Sequence, residues 1–241
     1  MPFADLTGRV AIVTGGAGAL GRATIRVLLD AGASVVTTDT HHAGMRDLGA
    51  SLPGELRDHF TTIEADVSTE DGAASVIRHT ADTYGALHIL VNIVGGYAGG
   101  QSVAETALAT WREQYELNAT TAFLMARAAI PVMQGQGWGR IINVASRVAL
   151  TTPAGLGAYA VSKSAVITLT EVLANEVRDH GITANAILPS VIDTPANRTA
   201  MSDSDFDTWV RPEQIGHVVR FLASEESGII SGAAIPVYGR A

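Results

Sequence analysis

The 241-residue chain contains no cysteine. That excludes disulfides, thiol nucleophiles and thiolate metal sites, and no metal site is expected. Basic residues are scarce: 16 Lys and Arg stand against 24 Asp and Glu, for a net charge of −8. There is no basic footprint to meet a phosphate backbone, so no nucleic-acid partner is expected. Charged residues amount to only 17%, below the usual quarter, which argues against disorder. No apolar run reaches the roughly 18–20 residues that span a bilayer; each is broken by Gly, Pro, Arg or Asn. The opening Met1-Pro2-Phe3-Ala4-Asp5-Leu6 lacks a basic start followed by an apolar stretch, so it does not read as a secretory signal. No membrane partner is expected, and the expected compartment is the cytoplasm. Linker-like tracts and internal repeats are also missing, so residues 1–241 read as one domain.

What is present is an apolar fraction of 47% and 25 glycines, enough for a large core and many tight turns. Strand-like and helix-like segments alternate. Strands are expected at residues 9–14, 33–38, 60–65, 87–91, 140–145, 183–188 and 233–238. Helices are expected at 20–31, 68–84, 107–133, 157–180 and 212–223. Ser68 and Asp71 suggest a capped start for the second helix. Several strands are nearly continuous apolar runs, as in a sheet covered on both faces. Strict alternation implies an α/β fold: a doubly wound, mostly parallel sheet of about seven strands. The polar segment 195–207 reads as a mobile loop, within a substrate loop at about 190–211.

Between the first strand and first helix lies Thr14-Gly15-Gly16-Ala17-Gly18-Ala19-Leu20-Gly21. The glycines permit a tight turn and close approach to a pyrophosphate, and the helix N-terminus offers free N–H groups and a favourable dipole. Asp39 ends the next strand 18 residues after Gly21, where a carboxylate accepts hydrogen bonds from the adenosine-ribose hydroxyls and repels a 2′-phosphate. No Arg or Lys stands within the Gly loop or just after Asp39. The expected cofactor is NAD rather than NADP. His41 and His42 read as solvated loop residues.

Tyr159-Ala160-Val161-Ser162-Lys163 opens a predicted helix, placing Tyr159 and Lys163 on one face. A free Tyr hydroxyl titrates near ~10; a cation one turn away stabilises the phenolate and lowers that value. Ser146 lies 13 residues upstream, just after a strand. At this point the chain resembles the short-chain dehydrogenase/reductase family over nearly its whole length. The matching pieces are Thr14-Gly15 to Gly21, Asp66-Val67, Asn92 to Gly95, Asn118, Ser146, Tyr159-x-x-x-Lys163 and Pro189 to Thr194.

The resemblance implies roles. Tyr159 is the general acid/base, and Ser146 stabilises charge on the reacting oxygen. Lys163 holds the nicotinamide ribose and tunes Tyr159, and Asn118 orders a water for proton relay. Gly15, Gly18, Ala19, Leu20, Gly21, Asp39, Asp66, Val67, Asn92 and Gly95 contact the dinucleotide. Ile192 and Thr194 meet the carboxamide. Three positions depart from the family pattern. Ala19 replaces the middle glycine of the loop. Asn92-Ile93-Val94-Gly95 replaces Asn-Asn-Ala-Gly. Ser190 stands where a glycine usually follows Pro189.

Around the substrate, the candidates are Gly96-Tyr97, Arg147-Val148, residues 153–156 and 195–209. Arg147 reads equally as an anion partner or a solvated charge, and Trp209 as a loop anchor or pocket wall. The expected activity is hydride transfer between NAD(H) and a small-molecule secondary alcohol or ketone. The segment from Asp193 to Trp209 also resembles dihydropteridine reductases, a branch that typically lacks the serine present here as Ser146. The alternatives are therefore an NADH-dependent pterin-type or 3-oxoacyl reductase, or a non-catalytic NAD-binding protein. Family members usually form tetramers, and apolar runs at 123–125, 166–169 and 235–238 suggest a homotetramer here.

Overall fold

The computed structural model describes residues 3–240. Its centre is one sheet of seven strands, all parallel, in the order β3-β2-β1-β4-β5-β6-β7. The strands are β1 (Val10–Thr14), β2 (Ser34–Asp39), β3 (Phe60–Glu64), β4 (Ile89–Asn92), β5 (Gly139–Val144), β6 (Ile182–Pro189) and β7 (Ala234–Val237). β1, β4 and β6 are buried at every residue, which is why they read as nearly continuous apolar runs rather than alternating ones. The edge strand β3 is only partly covered and accordingly carries Thr and Glu.

Helices cover both faces. On one side α1 (Ala19–Asp30), α2 (His42–Ser51) and α10 (Pro212–Leu222) pack around Ile25, Leu28, Leu48, Ile215 and Val219. On the other, α4 (Glu70–Tyr84), α6 (Thr121–Gln136) and α8 (Gly157–Val177) meet around Val76, Met125, Met133, Leu173 and Val177. Every crossover from one strand to the next parallel strand thus buries an apolar helix face against the sheet.

Five expectations change. Helix α2 and the short α3 (Gly54–Arg57) fill a stretch that read as loop. His41 is the N-cap of α2, its Nδ1 accepting from Gly44 N–H at 3.2 Å, so it is not merely a solvated loop residue. The cap of α4 is Thr69, whose hydroxyl accepts from Gly72 N–H at 3.1 Å; Ser68 instead bonds Asp66. The helix expected over 107–133 divides into α5 (Leu108–Tyr115), a π turn (Glu116–Thr120) and α6. The segment read as mobile carries α9 (Pro195–Ala200) and a 3-10 turn at Phe206–Thr208. It is fastened by two Arg198–Asp193 bonds of 2.6 and 2.8 Å and by Arg198 over the Phe206 ring. Trp209 is buried and meets Phe206 edge-on, so it anchors this segment.

At the N-terminal end of the sheet, Trp138 lies between two guanidinium groups, Arg9 at 3.8 Å and Arg140 at 4.2 Å. Its indole N–H donates to Glu225 at 2.9 Å, and His88 packs against its edge. His88 Nδ1 accepts from Val10 N–H at 3.0 Å.

Candidate active site

At the opposite end of the sheet, two elements deliver the chemical groups. Strand β5 stops at Val144, and Ser146 stands two residues beyond it. Helix α8 carries Tyr159 and Lys163 one turn apart. The structure brings the three together. The Ser146 hydroxyl lies near enough to the Tyr159 hydroxyl to favour its ionised form, and its Oγ accepts from Val148 N–H, the first residue of α7 (Val148–Thr151), at 3.2 Å. Lys163 Nζ donates to the Val144 carbonyl at 2.9 Å.

Asn118 sits in the π turn, where the extra residue in the turn leaves α5 and α6 out of phase. Its side chain is buried and fully engaged. Oδ1 accepts from Gly96 N–H at 3.0 Å, and Nδ2 donates to Gly96 O at 3.0 Å and to Ser162 Oγ at 3.1 Å. A Cβ on Gly95 would fall 2.6 Å from Asn118 Oδ1 and 3.0 Å from Lys163 Nζ. Only glycine lets the chain pass this close to both.

The electrostatics depart from the simple expectation for Tyr159. Burial pushes its hydroxyl above the usual tyrosine value; Ser146 opposes this and Tyr97 adds to it. Burial also pushes Lys163 down to about 8. Burial of the phenol outweighs the opposing effect of Ser146, and the Lys163 ammonium is bonded to the strand carbonyl rather than to the phenol.

The dinucleotide residues gather at the ends of β1 and β2. Helix α1 begins after Gly18 with no side-chain cap and no acidic residue in its first turn. Its leading N–H groups are therefore left without a side-chain acceptor, as an anion site requires. Ala19 and Leu20 form that first turn, and a Cβ on Gly21 would collide with the Gly15 carbonyl. Asp39 Oδ2 accepts from Ala17 N–H at 3.0 Å and Oδ1 from His41 N–H at 2.9 Å, so the carboxylate lies against the Gly loop. This cradle fits a dinucleotide. Asp66 is exposed; Ser68 bonds its Oδ1 twice and holds it below the usual carboxylate range. Val67 is core.

Asn92 is buried, its Nδ2 donating to Asn143 Oδ1 at 2.8 Å, and Asn143 continues to Thr170 at 2.9 Å. Its side chain ties β4 to β5. The N–H groups of Ile93 and Val94 both donate to Thr14 Oγ1, while the buried Asn92 Oδ1 has no partner among the described residues. Ile192 pairs with Val210 and its carbonyl accepts from Asn197. The Thr194 hydroxyl caps α9 by accepting from Asn197 N–H.

Sequence reasoning missed Arg22. It follows Gly21 directly, and its guanidinium reaches back to Ala17 O at 2.9 Å and Gly44 O at 2.6 Å. A basic group does therefore border the loop, with two of its five N–H donors engaged by these carbonyls. Its place in the first turn of α1 was the available signal. Arg147 lies over the Tyr238 ring at 5.6 Å, turned toward the last strand.

Comparison with known proteins agrees with this geometry. The family model for short chain dehydrogenase matches residues 9–205, and the chain belongs to that family of oxidoreductases. Among its relatives, cis-4-hydroxycyclohexanecarboxylate dehydrogenase of Sinomonas cyclohexanicum is 30% identical over 239 residues, covering 96% of this chain and 95% of the relative. The 3-oxoacyl-[acyl-carrier-protein] reductase of Vibrio cholerae is 30% identical, with 98% of each chain covered. The 3-alpha-(or 20-beta)-hydroxysteroid dehydrogenase of Mycobacterium tuberculosis is 32% identical, with 97% of this chain and 89% of the relative covered. The crystal structure of gox2181 superposes with a TM-score of 0.90 at 28% identity, over 98% of this chain and 96% of that one.

Proposed function

We propose that this protein interconverts a secondary alcohol and a ketone with NAD(H), using Tyr159 as acid/base. The observation that carries the reading is the convergence of Ser146, just beyond β5, on Tyr159, which stands one turn from the buried Lys163 on α8. A bound nicotinamide supplies or takes the hydride; the chain's own side chains handle the proton and the charge on oxygen. With its hydroxyl raised by burial, Tyr159 is a neutral phenol near pH 7. That is the form that donates a proton to a carbonyl oxygen during reduction. Ser146 donates to the same oxygen as alkoxide charge develops. Lys163, at about 8, is mostly charged at pH 7, and its part in this reading is to hold the nicotinamide ribose.

Asp39 supports NAD over NADP, since a 2′-phosphate would meet its carboxylate, while Arg22 is already bonded to two carbonyls. The names of the relatives share a hydroxyl or oxo group as the point of attack, which supports the bond type and not a particular substrate. We further propose a homotetramer in the cytoplasm. Its supporting surface differs from the apolar runs in the sequence: Leu124, Met125, Val166 and Ile167 are core, whereas Trp111, Tyr115, Phe123, Val161 and Val172 are exposed. The test of activity is an absorbance screen of ketones and secondary alcohols with NADH and NAD. Hydride transfer with a member of the panel is the expected result. NAD binding without turnover on any member would replace it with a non-catalytic NAD-binding role.

A further inference from the structure

Helix α5 is inverted relative to an ordinary amphipathic helix. Leu108, Trp111 and Tyr115 are exposed, and its buried residue is a glutamine, Gln114, at 3% exposure. A buried amide must be bonded to be tolerated. Gln114 Oε1 accepts from Ala98 N–H at 3.1 Å, with Asn118 Nδ2 approaching at 3.5 Å.

These contacts fall on the segment that flanks the candidate active site. Every second N–H of residues 96–100 is held. Gly96 donates to Asn118, Ala98 to Gln114, and Gly100 to Gly155 O at 2.9 Å. Tyr97 lies between the first two. It is 66% exposed, yet its ring meets Tyr159 edge-on, with centroids 5.2 Å apart. The Gly100 contact comes from the loop before α8 and the Gly96 contact from the π turn. Gln114 supplies the middle fastening, one residue after Tyr97.

Resting on the reading of Tyr159 as acid/base, we propose that Gln114 is a positioning residue: its Oε1 holds Ala98, and through it sets the Tyr97 ring against Tyr159 in register with Asn118. Gln114 touches no reacting atom. It acts through the backbone of its neighbour, and it gives one buried acceptor to both the substrate-side loop and the π turn. A methionine at this position keeps the length and loses the acceptor. A glutamate keeps an acceptor oxygen whether ionised or protonated, so the two variants separate hydrogen bonding from filling of space.

The test compares wild type, Gln114→Met and Gln114→Glu. Three measurements are made: amide hydrogen exchange over residues 96–101, steady-state reduction of cyclohexanone and of ethyl acetoacetate by NADH, and NADH affinity by fluorescence. In Gln114→Met, exchange at Ala98 should quicken. The kcat should fall by roughly 10- to 100-fold, the scale of a reacting group displaced by about an ångström, with NADH affinity changed by less than about twofold. Gln114→Glu should restore both the protection and most of the turnover. Unchanged exchange and kcat in Gln114→Met would overturn the proposal, and so would a Gln114→Glu variant as impaired as Gln114→Met. If wild type reduces neither probe, the functional reading is what fails for these ketones, and the exchange comparison alone decides whether Gln114 holds the loop.

Discussion

Removing the buried lysine should disable the enzyme and yet firm up its fold. Lys163 is pushed from 10.5 down to about 8 by burial. At about 1.4 kcal/mol for each tenfold change in proton affinity, the charged form is roughly 3 kcal/mol less favourable folded than unfolded. Lys163→Met removes that burden and retains an unbranched chain of similar length. It also removes the bond to Val144 O at 2.9 Å, a loss of about 1–2 kcal/mol. The net is a gain of about 1–2 kcal/mol at pH 7, which for a chain of this size raises Tm by a few degrees. The sign with pH follows from linkage. Between pH 8 and 10.5 the unfolded lysine holds a proton that the folded one has released, so wild-type stability rises with pH across that window. The variant lacks this rise, and its advantage should shrink as pH climbs. Thermal melts of both proteins at pH 7, 9 and 10, alongside turnover, provide the assay. A variant with intact circular dichroism that melts several degrees below wild type at pH 7, or a gap indifferent to pH, would refute the reasoning.

Other outcomes follow from the same geometry. Tyr159→Phe should leave NAD affinity intact and reduce kcat by roughly 10²–10⁴-fold; retention of more than about a tenth of turnover would remove Tyr159 from the acid/base role. The unaltered protein should prefer NAD(H) by at least about tenfold in kcat/KM, about 1.4 kcal/mol, and Asp39→Ser should narrow that ratio in a direct comparison of the two cofactors. His88 is held below its usual value by burial and by Arg9, so its neutral form belongs to the fold and the unfolded chain takes up a proton first as pH falls. Stability should therefore decline below about pH 6.5, and less steeply in His88→Asn, as read from melts between pH 5 and 7. Light scattering at micromolar concentration should return four times the chain mass, and a monomer would contradict the assembly.

The sheet was legible because its strands are buried on both faces and therefore spell themselves as apolar runs, Val10–Val13 and Ile182–Leu188 among them. Ser146, Tyr159 and Lys163 were legible because their chemistry depends on spacing along one helix and after one strand. Other features depended on contacts between distant segments. Helix α2 holds Gly44 and Gly49 and has a weak apolar stripe, so local preference argued for loop; its capping by His41 and the Arg22 bond to Gly44 O supply what propensity lacks. The π turn contains neither Gly nor Pro to announce it, and it is accompanied by the bonds of Asn118 to Gly96. The neutral phenol of Tyr159 depends on how deeply the ring is covered, which no spacing encodes.

The strand order carries a consequence for how the chain comes together during synthesis. β1 pairs with β2, and β2 with β3, all within the first 64 residues, but the other edge of β1 waits for β4 at residues 89–92. Until that strand emerges, Ala11, Ile12 and Val13 present an unpaired apolar edge at what will be the middle of the sheet. A nascent or truncated chain stopping near residue 85 would keep that edge open to any passing strand, including one from another copy. The part of the molecule that holds the Gly loop and Asp39 is thus made first and stays open at one edge until β4 is added.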